Sequence, residues 1–156
     1  MSHTSIFNPA VAPLLKLLTY STMAVFAVLT LLNWTGLEQY SALWLFRFFS
    51  LAMLTFLAGS LFGLGLVVKV EGESYSLNTS GLVWGALLVL VAGFGVTLLQ
   101  PKVGLFVAGL LFLVLWQVEL KSNLARAYPE WFWVMRTKAS MVIALCHMLL
   151  WLTLDL

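Results

Sequence analysis

Leu82-Val83-Trp84-Gly85-Ala86-Leu87-Leu88-Val89-Leu90-Val91-Ala92-Gly93-Phe94-Gly95-Val96-Thr97-Leu98-Leu99 carries no charge, and within Leu87-Leu88-Val89-Leu90-Val91-Ala92 every position is apolar. A strand of a membrane barrel would alternate apolar and polar residues over about ten positions, and this stretch does not alternate. In hydrocarbon each backbone N–H and C=O must be satisfied within its own segment, which leaves the α-helix. The run is long enough for a hydrocarbon core about 30 Å thick. It is therefore read as a membrane-spanning helix, and the fold class as all-α.

Four further runs of the same character flank it: Val11–Leu32, Leu43–Val68, Val103–Val118 and Thr137–Leu154. Five spans of roughly 20 residues use about 100 residues, so the 156-residue chain is one polytopic membrane domain of about five helices, with short connections. Composition agrees: 62% of residues are hydrophobic, 9% are charged and mean hydropathy is +1.03, against about 25% charged in a soluble domain. Gln100-Pro101-Lys102 alone divides the third run from the fourth, which makes them a tight hairpin. The fourth run, the shortest, is where a miscount would arise. Pro13 suits a first helical turn, and Asn33-Trp34-Thr35-Gly36 ends the first span with an aromatic at interface depth.

Eight basic and six acidic residues are scattered along the chain without a basic run, which excludes a nucleic-acid partner. Cys146 is the only cysteine, so neither an internal disulfide nor a CxxC pair is available. Val11–Leu32 is too long for a signal-peptide core and lacks a preceding basic cluster, so it is expected to be retained. Residues 1–10 are poor in arginine and not amphipathic, which points away from a mitochondrial transit peptide and towards a bacterial cytoplasmic (inner) membrane. Lys16, Lys69, Lys121, Arg126, Arg136 and Lys138 fall on the N-terminal side of a five-span arrangement, and Arg47 and Lys102 on the other. Six against two predicts N-in, C-out.

Few residues invite chemistry. Gly59 and Gly63, Gly81 and Gly85, and Gly104 and Ala108 are small-xxx-small pairs, expected to let helices approach closely. Gly93-x-Gly95 lacks the third glycine and the strand–helix setting of a nucleotide fingerprint. Arg47, one turn into the second span, reads as an interfacial anchor beside Tyr40 and Trp44, or as an anion or headgroup contact facing the bundle. His147 lies about ten residues into the last span, where an ionisable group is a functional hypothesis by default. Helical spacing sets Ser140, Ile143, Ala144 and Trp151 on its face. The other histidine, His3, is in the N-terminal tail, so neither a haem nor a metal site is expected and no cofactor is assigned. A hydrogen-bonded packing histidine is the plainer expectation. Ser60 beside Gly59, paired with His147, superficially offers a serine–histidine couple, but no oxyanion-hole donor accompanies it, so no enzyme is expected.

The polar centre of mass is Glu119–Lys138, with Lys121, Arg126, Glu130 and Arg136 among Tyr128, Trp131, Phe132 and Trp133, and Pro129 ahead of the final helix. Cations and aromatics together suit an interfacial belt on anionic lipid, and the stretch doubles as a surface on which a membrane-protein partner could dock. The first functional expectation is accordingly a non-enzymatic accessory, assembly or scaffold protein. The second is a small transporter or channel, as a single chain or a homo-oligomer, although the sequence offers no mid-span carboxylate or internal repeat.

Tyr40-Ser41-Ala42 leading to Phe56-Leu57-Ala58-Gly59-Ser60-Leu61-Phe62-Gly63, and Pro129-Glu130-Trp131-Phe132 leading to Met135-Arg136, give a layout that resembles the bacterial membrane family of unknown function numbered 3429, which also includes the mitochondrial transmembrane protein 69. Gln117, ahead of the charged loop, fits the same pattern. The family's second-span motif usually carries a histidine and a tryptophan where this chain has Leu61 and Phe62. The resemblance implies a five-helix membrane fold and no activity.

Overall fold

The computed structural model describes residues 9–36, 39–67, 78–124 and 128–154. Among the described residues, a single 3-10 turn at Pro9–Val11 is followed by five long helices: α1 (Ala12–Trp34), α2 (Gln39–Val67), α3 (Thr79–Val96), α4 (Pro101–Lys121) and α5 (Glu130–Thr153). All five are long and apolar enough to cross a bilayer, and the protein is an all-helical bundle. His3, Lys69 and Arg126 lie outside the described residues.

The helices begin and end where backbone chemistry changes, which is not always where hydropathy does. The last apolar run starts at Thr137, yet α5 starts at Glu130 because Pro129 is its N-cap and the Pro129 carbonyl accepts from the N–H groups of Phe132 and Trp133. A helix ladder is indifferent to side-chain polarity and continues through the interface until a proline or a cap stops it. Similarly, α3 starts at Thr79 because Asn78 Oδ1 accepts the Gly81 N–H at 2.8 Å. It ends at Val96, and Thr97, Leu98 and Leu99 bond three residues back as a tight turn although the last two are apolar. Pro101 opens α4, its fixed φ suiting the first turn. With 21 residues α4 is not the shortest helix; α3, with 18, is.

Packing closes the helices into a ring. α1 lies against α2 and α5, α2 against α3, α3 against α4 and α4 against α5, with α2 also touching α4 across the middle. Inside are Phe26, Phe46, Leu54, Val89, Leu105, Phe112, Leu115 and Leu150, all fully buried. α4 and α5 carry most of the burial and α1 the least.

Two glycines explain how α4 sits so close to its neighbours. A Cβ at Gly85 would lie 2.7 Å from Val118 Cγ2, and one at Gly109 would lie 2.9 Å from His147 Cβ, so α3 and α5 both reach α4 at a residue without a side chain. The expected Gly59–Gly63 face behaves otherwise: a Cβ at either position would meet nothing within 4 Å among the described residues. Those glycines point away from the neighbouring helices, because the apolar side chains of α2 that reach the core, Leu54, Ala58 and Leu61, lie on a different face. Gly104 and Ala108 do face inward, the first 3.3 Å from the Val96 carbonyl at its Cβ position and the second buried.

Candidate functional site

His147 occupies the centre of the ring and is 0% exposed. Gly109 admits its Cβ, and the imidazole then meets Phe46, Phe112 and Phe26 with ring centroids 4.7, 5.4 and 5.6 Å away. One face of one residue thus draws in α1, α2 and α4, each ring pair adding about 0.5–1.5 kcal/mol beyond the area it buries.

Both imidazole nitrogens are engaged. Nδ1 lies 2.8 Å from the Ile143 carbonyl and Nε2 lies 2.9 Å from Ser50 Oγ, while the Ser50 hydroxyl is 2.7 Å from the Phe46 carbonyl. The two carbonyls at the ends of this chain can only accept, and the serine brings one hydrogen. A neutral ring brings one more, so three contacts share two hydrogens; an imidazolium would fill all three.

Beside this couple lies a cavity of about 240 Å³ bounded by α2, α3, α4 and α5. Arg47, Ser50, Leu51 and Leu54 supply one stripe of its wall at helical spacing, Gly104 stands near Arg47, and the fully buried His147 completes the lining from α5. Arg47 is half-buried, and its Nη2 donates to the Leu99 carbonyl at 3.3 Å, which ties α2 to the α3–α4 turn. The partner it finds there is a backbone carbonyl just past the end of α3.

A second cavity, of about 370 Å³, fills the opposite half of the bundle between α1, α2 and α5. Its wall includes Thr19 and Thr22 of α1, Ser60 of α2, and Ile143 of α5. Ile143 and His147 stand one helical turn apart and are joined by the Nδ1 contact, so a single turn of α5 divides one cavity from the other. On α2 the two linings overlap in depth, with Leu54 on the first cavity and Met53 on the second, so there the helix itself stands between them.

At the far end of the second cavity stands an ion pair. Glu119 is 0% exposed, and Arg136 donates to it through Nε, at 3.0 Å to Oε1 and 3.3 Å to Oε2, and through Nη2. Such a forked, charge-assisted contact is the geometry that makes a buried carboxylate tolerable. Burial first, and the Glu119 carboxylate second, push the Tyr128 phenol well above its ordinary range against the opposing pull of Arg136. Tyr128 therefore stays protonated beside the pair.

The Glu119–Lys138 belt is thereby corrected in part. Glu119 and Arg136 turn inward and satisfy one another, because α4 and α5 both extend past the apolar runs and bring their ends together. Lys121, Glu130 and Lys138 stay exposed, Gln117 is exposed on α4, and Trp131 is half-buried beneath Lys16, whose Nζ sits 5.3 Å from the ring centroid. Arg126 lies outside the described residues. Ser60 is not brought to His147: its hydroxyl donates to the Phe56 carbonyl at 2.7 Å, and it borders the other cavity. The serine that does meet His147 is Ser50, which sequence reasoning passed over; its signal was the spacing to Arg47, three residues earlier on one face of α2.

Compared with the models of known protein families, with curated proteins and with solved structures, the chain matches none.

Proposed function

We propose that the protein is a small-solute transporter of the bacterial cytoplasmic membrane, with its N-terminus inside. The observation that carries this reading is the pair of cavities in opposite halves of the bundle, separated by one turn of α5 at Ile143–His147. Intramembrane ionisable groups that border a cavity mark solute and ion pathways, and an inner layer with access from either side is the minimum that alternating access requires. The excess of Lys and Arg on the N-terminal side supports the orientation.

The docking reading has less support. Arg136, one of the cations it would present, is engaged by Glu119. The wild-type chain in proteoliposomes is expected to admit small solutes faster than empty vesicles do, followed by light scattering after an osmotic step. Thr97→Trp, which places an indole at the first cavity, is expected to slow that entry at least tenfold. Swelling no faster than in empty vesicles for every solute of a size range would remove the transporter reading.

A further inference from the structure

Resting on the transport reading, we infer that the solute is a small anion and that it is carried together with a proton held on His147.

The charge in the first cavity is of one sign. Arg47 stands in its wall with a carbonyl, not a carboxylate, as its partner. Among the described residues the acids are Glu119 and Glu130, and both lie at the other end of the bundle. Lys102 and the first turn of α4, the positive end of its helix dipole, share the Arg47 end, and Gly104 of that turn borders the cavity. A volume of about 240 Å³ holds a small ion with some of its water and little more.

The proton follows from the hydrogen count along Ile143, His147, Ser50 and Phe46. Two carbonyl ends, one hydroxyl and a neutral ring leave one of three close contacts without a hydrogen, and a proton on the ring completes all three. That proton brings a positive charge into apolar surroundings. Phe26 of α1, Phe46 and Ser50 of α2, Gly109 and Phe112 of α4, and Ile143 of α5 face the ring, and Arg47 is the charged group across the cavity. Among the described residues no carboxylate faces it. An anion in the cavity supplies the missing counter-charge to both Arg47 and the ring. Binding is therefore reciprocal: the anion favours the proton and the proton favours the anion. In the step itself a hydronium ion from solvent gives its proton to the unprotonated ring nitrogen and is left as water as the anion enters. No covalent bond in the anion is made or broken, the net charge brought in is zero, and both depart together.

Nitrate is the probe, because it does not itself titrate near neutral pH. The full chain in nanodiscs, in weakly buffered solution with a pH dye, should take up close to one proton per nitrate bound. Nitrate affinity should fall about tenfold per pH unit on the alkaline side of the transition, as one linked proton requires. His147→Gln should bind nitrate without proton uptake, His3→Gln should behave as wild type, and Arg47→Gln should lose nitrate binding. A spectrum of the wild-type chain with ¹⁵N-labelled histidine needs no variant, and should show both His147 nitrogens protonated only when nitrate is present. Nitrate binding with no proton uptake, or uptake that survives His147→Gln, would overturn the coupling. Failure of nitrate and chloride to bind while a neutral solute crosses the membrane would overturn the anion assignment and leave the transporter standing, whereas the absence of any solute flux would instead remove the transport reading.

Discussion

The His147–Ser50 couple and the Glu119–Arg136 pair both tie α5 to a neighbouring helix through polar groups packed inside the bundle, yet they meet the burden of polar burial in different ways. Glu119 receives three guanidinium contacts from Arg136 and is left with little unmet demand. The chain through His147 has acceptors at both ends and one hydrogen too few while its ring is neutral. A saturated couple is a fastener. A couple one hydrogen short, bordering a cavity, is a place where a proton can arrive and leave.

The comparison can be broken most forcefully at the fastener. Arg136→Met strands a carboxylate with no exposure and should lower stability by about 3–5 kcal/mol, read as the midpoint of SDS-induced unfolding in mixed micelles. Glu119→Leu together with Arg136→Met should recover most of that loss, since the unpaired charge goes with the pair. A double variant as unstable as Arg136→Met would show that the pair fixes the α4–α5 contact through its geometry and not only through its charge.

Next in size is Gly109→Ala. Its new methyl would lie 2.9 Å from His147 Cβ, an atom fixed to the α5 backbone, so α4 and α5 must part. Overpacking of this kind costs about 1–3 kcal/mol, and the same variant should reduce solute flux because the shifted atom belongs to the site. Ser50→Ala should be milder in stability, about 1 kcal/mol, the range of one hydrogen bond between membrane helices. Its larger effect should fall on flux, which separates the poised couple from the fastener. Smallest is Gly59→Ala: its methyl enters open space and should change stability by less than about 0.5 kcal/mol.

That contrast between two glycines also marks how far the sequence could be read. The five helices were legible because bilayer thickness and backbone hydrogen bonding leave an uninterrupted apolar run few alternatives. His147 was legible as a candidate because an ionisable residue in the middle of such a run stands out. Gly59–Gly63 and Gly109 could not be ranked, since spacing along one helix does not say which neighbour that face will meet, and lipid accepts a glycine as readily as a helix does. Ser50 was invisible for a related reason: a lone serine in a membrane helix commonly bonds back to its own turn, as Ser50 also does to Phe46, and only the fold brings His147 to it. Glu119 and Arg136 misled because they sit among exposed charges in the chain, and their burial follows from how far α4 and α5 run past the apolar stretches.

The central claim is that the two cavities occupy opposite halves of the bundle, are divided on α5 at the Ile143–His147 turn, and are reached from opposite sides of the membrane. Thiol accessibility from each side of a sealed vesicle tests it most directly, in a Cys146→Ser background carrying either Thr97→Cys at the first cavity or Ser60→Cys at the second. A membrane-impermeant, water-soluble thiol reagent is expected to label Thr97→Cys from the side of Arg47 only, and Ser60→Cys from the opposite side only. Labelling of both positions from the same side, or of neither from either side, would contradict the account.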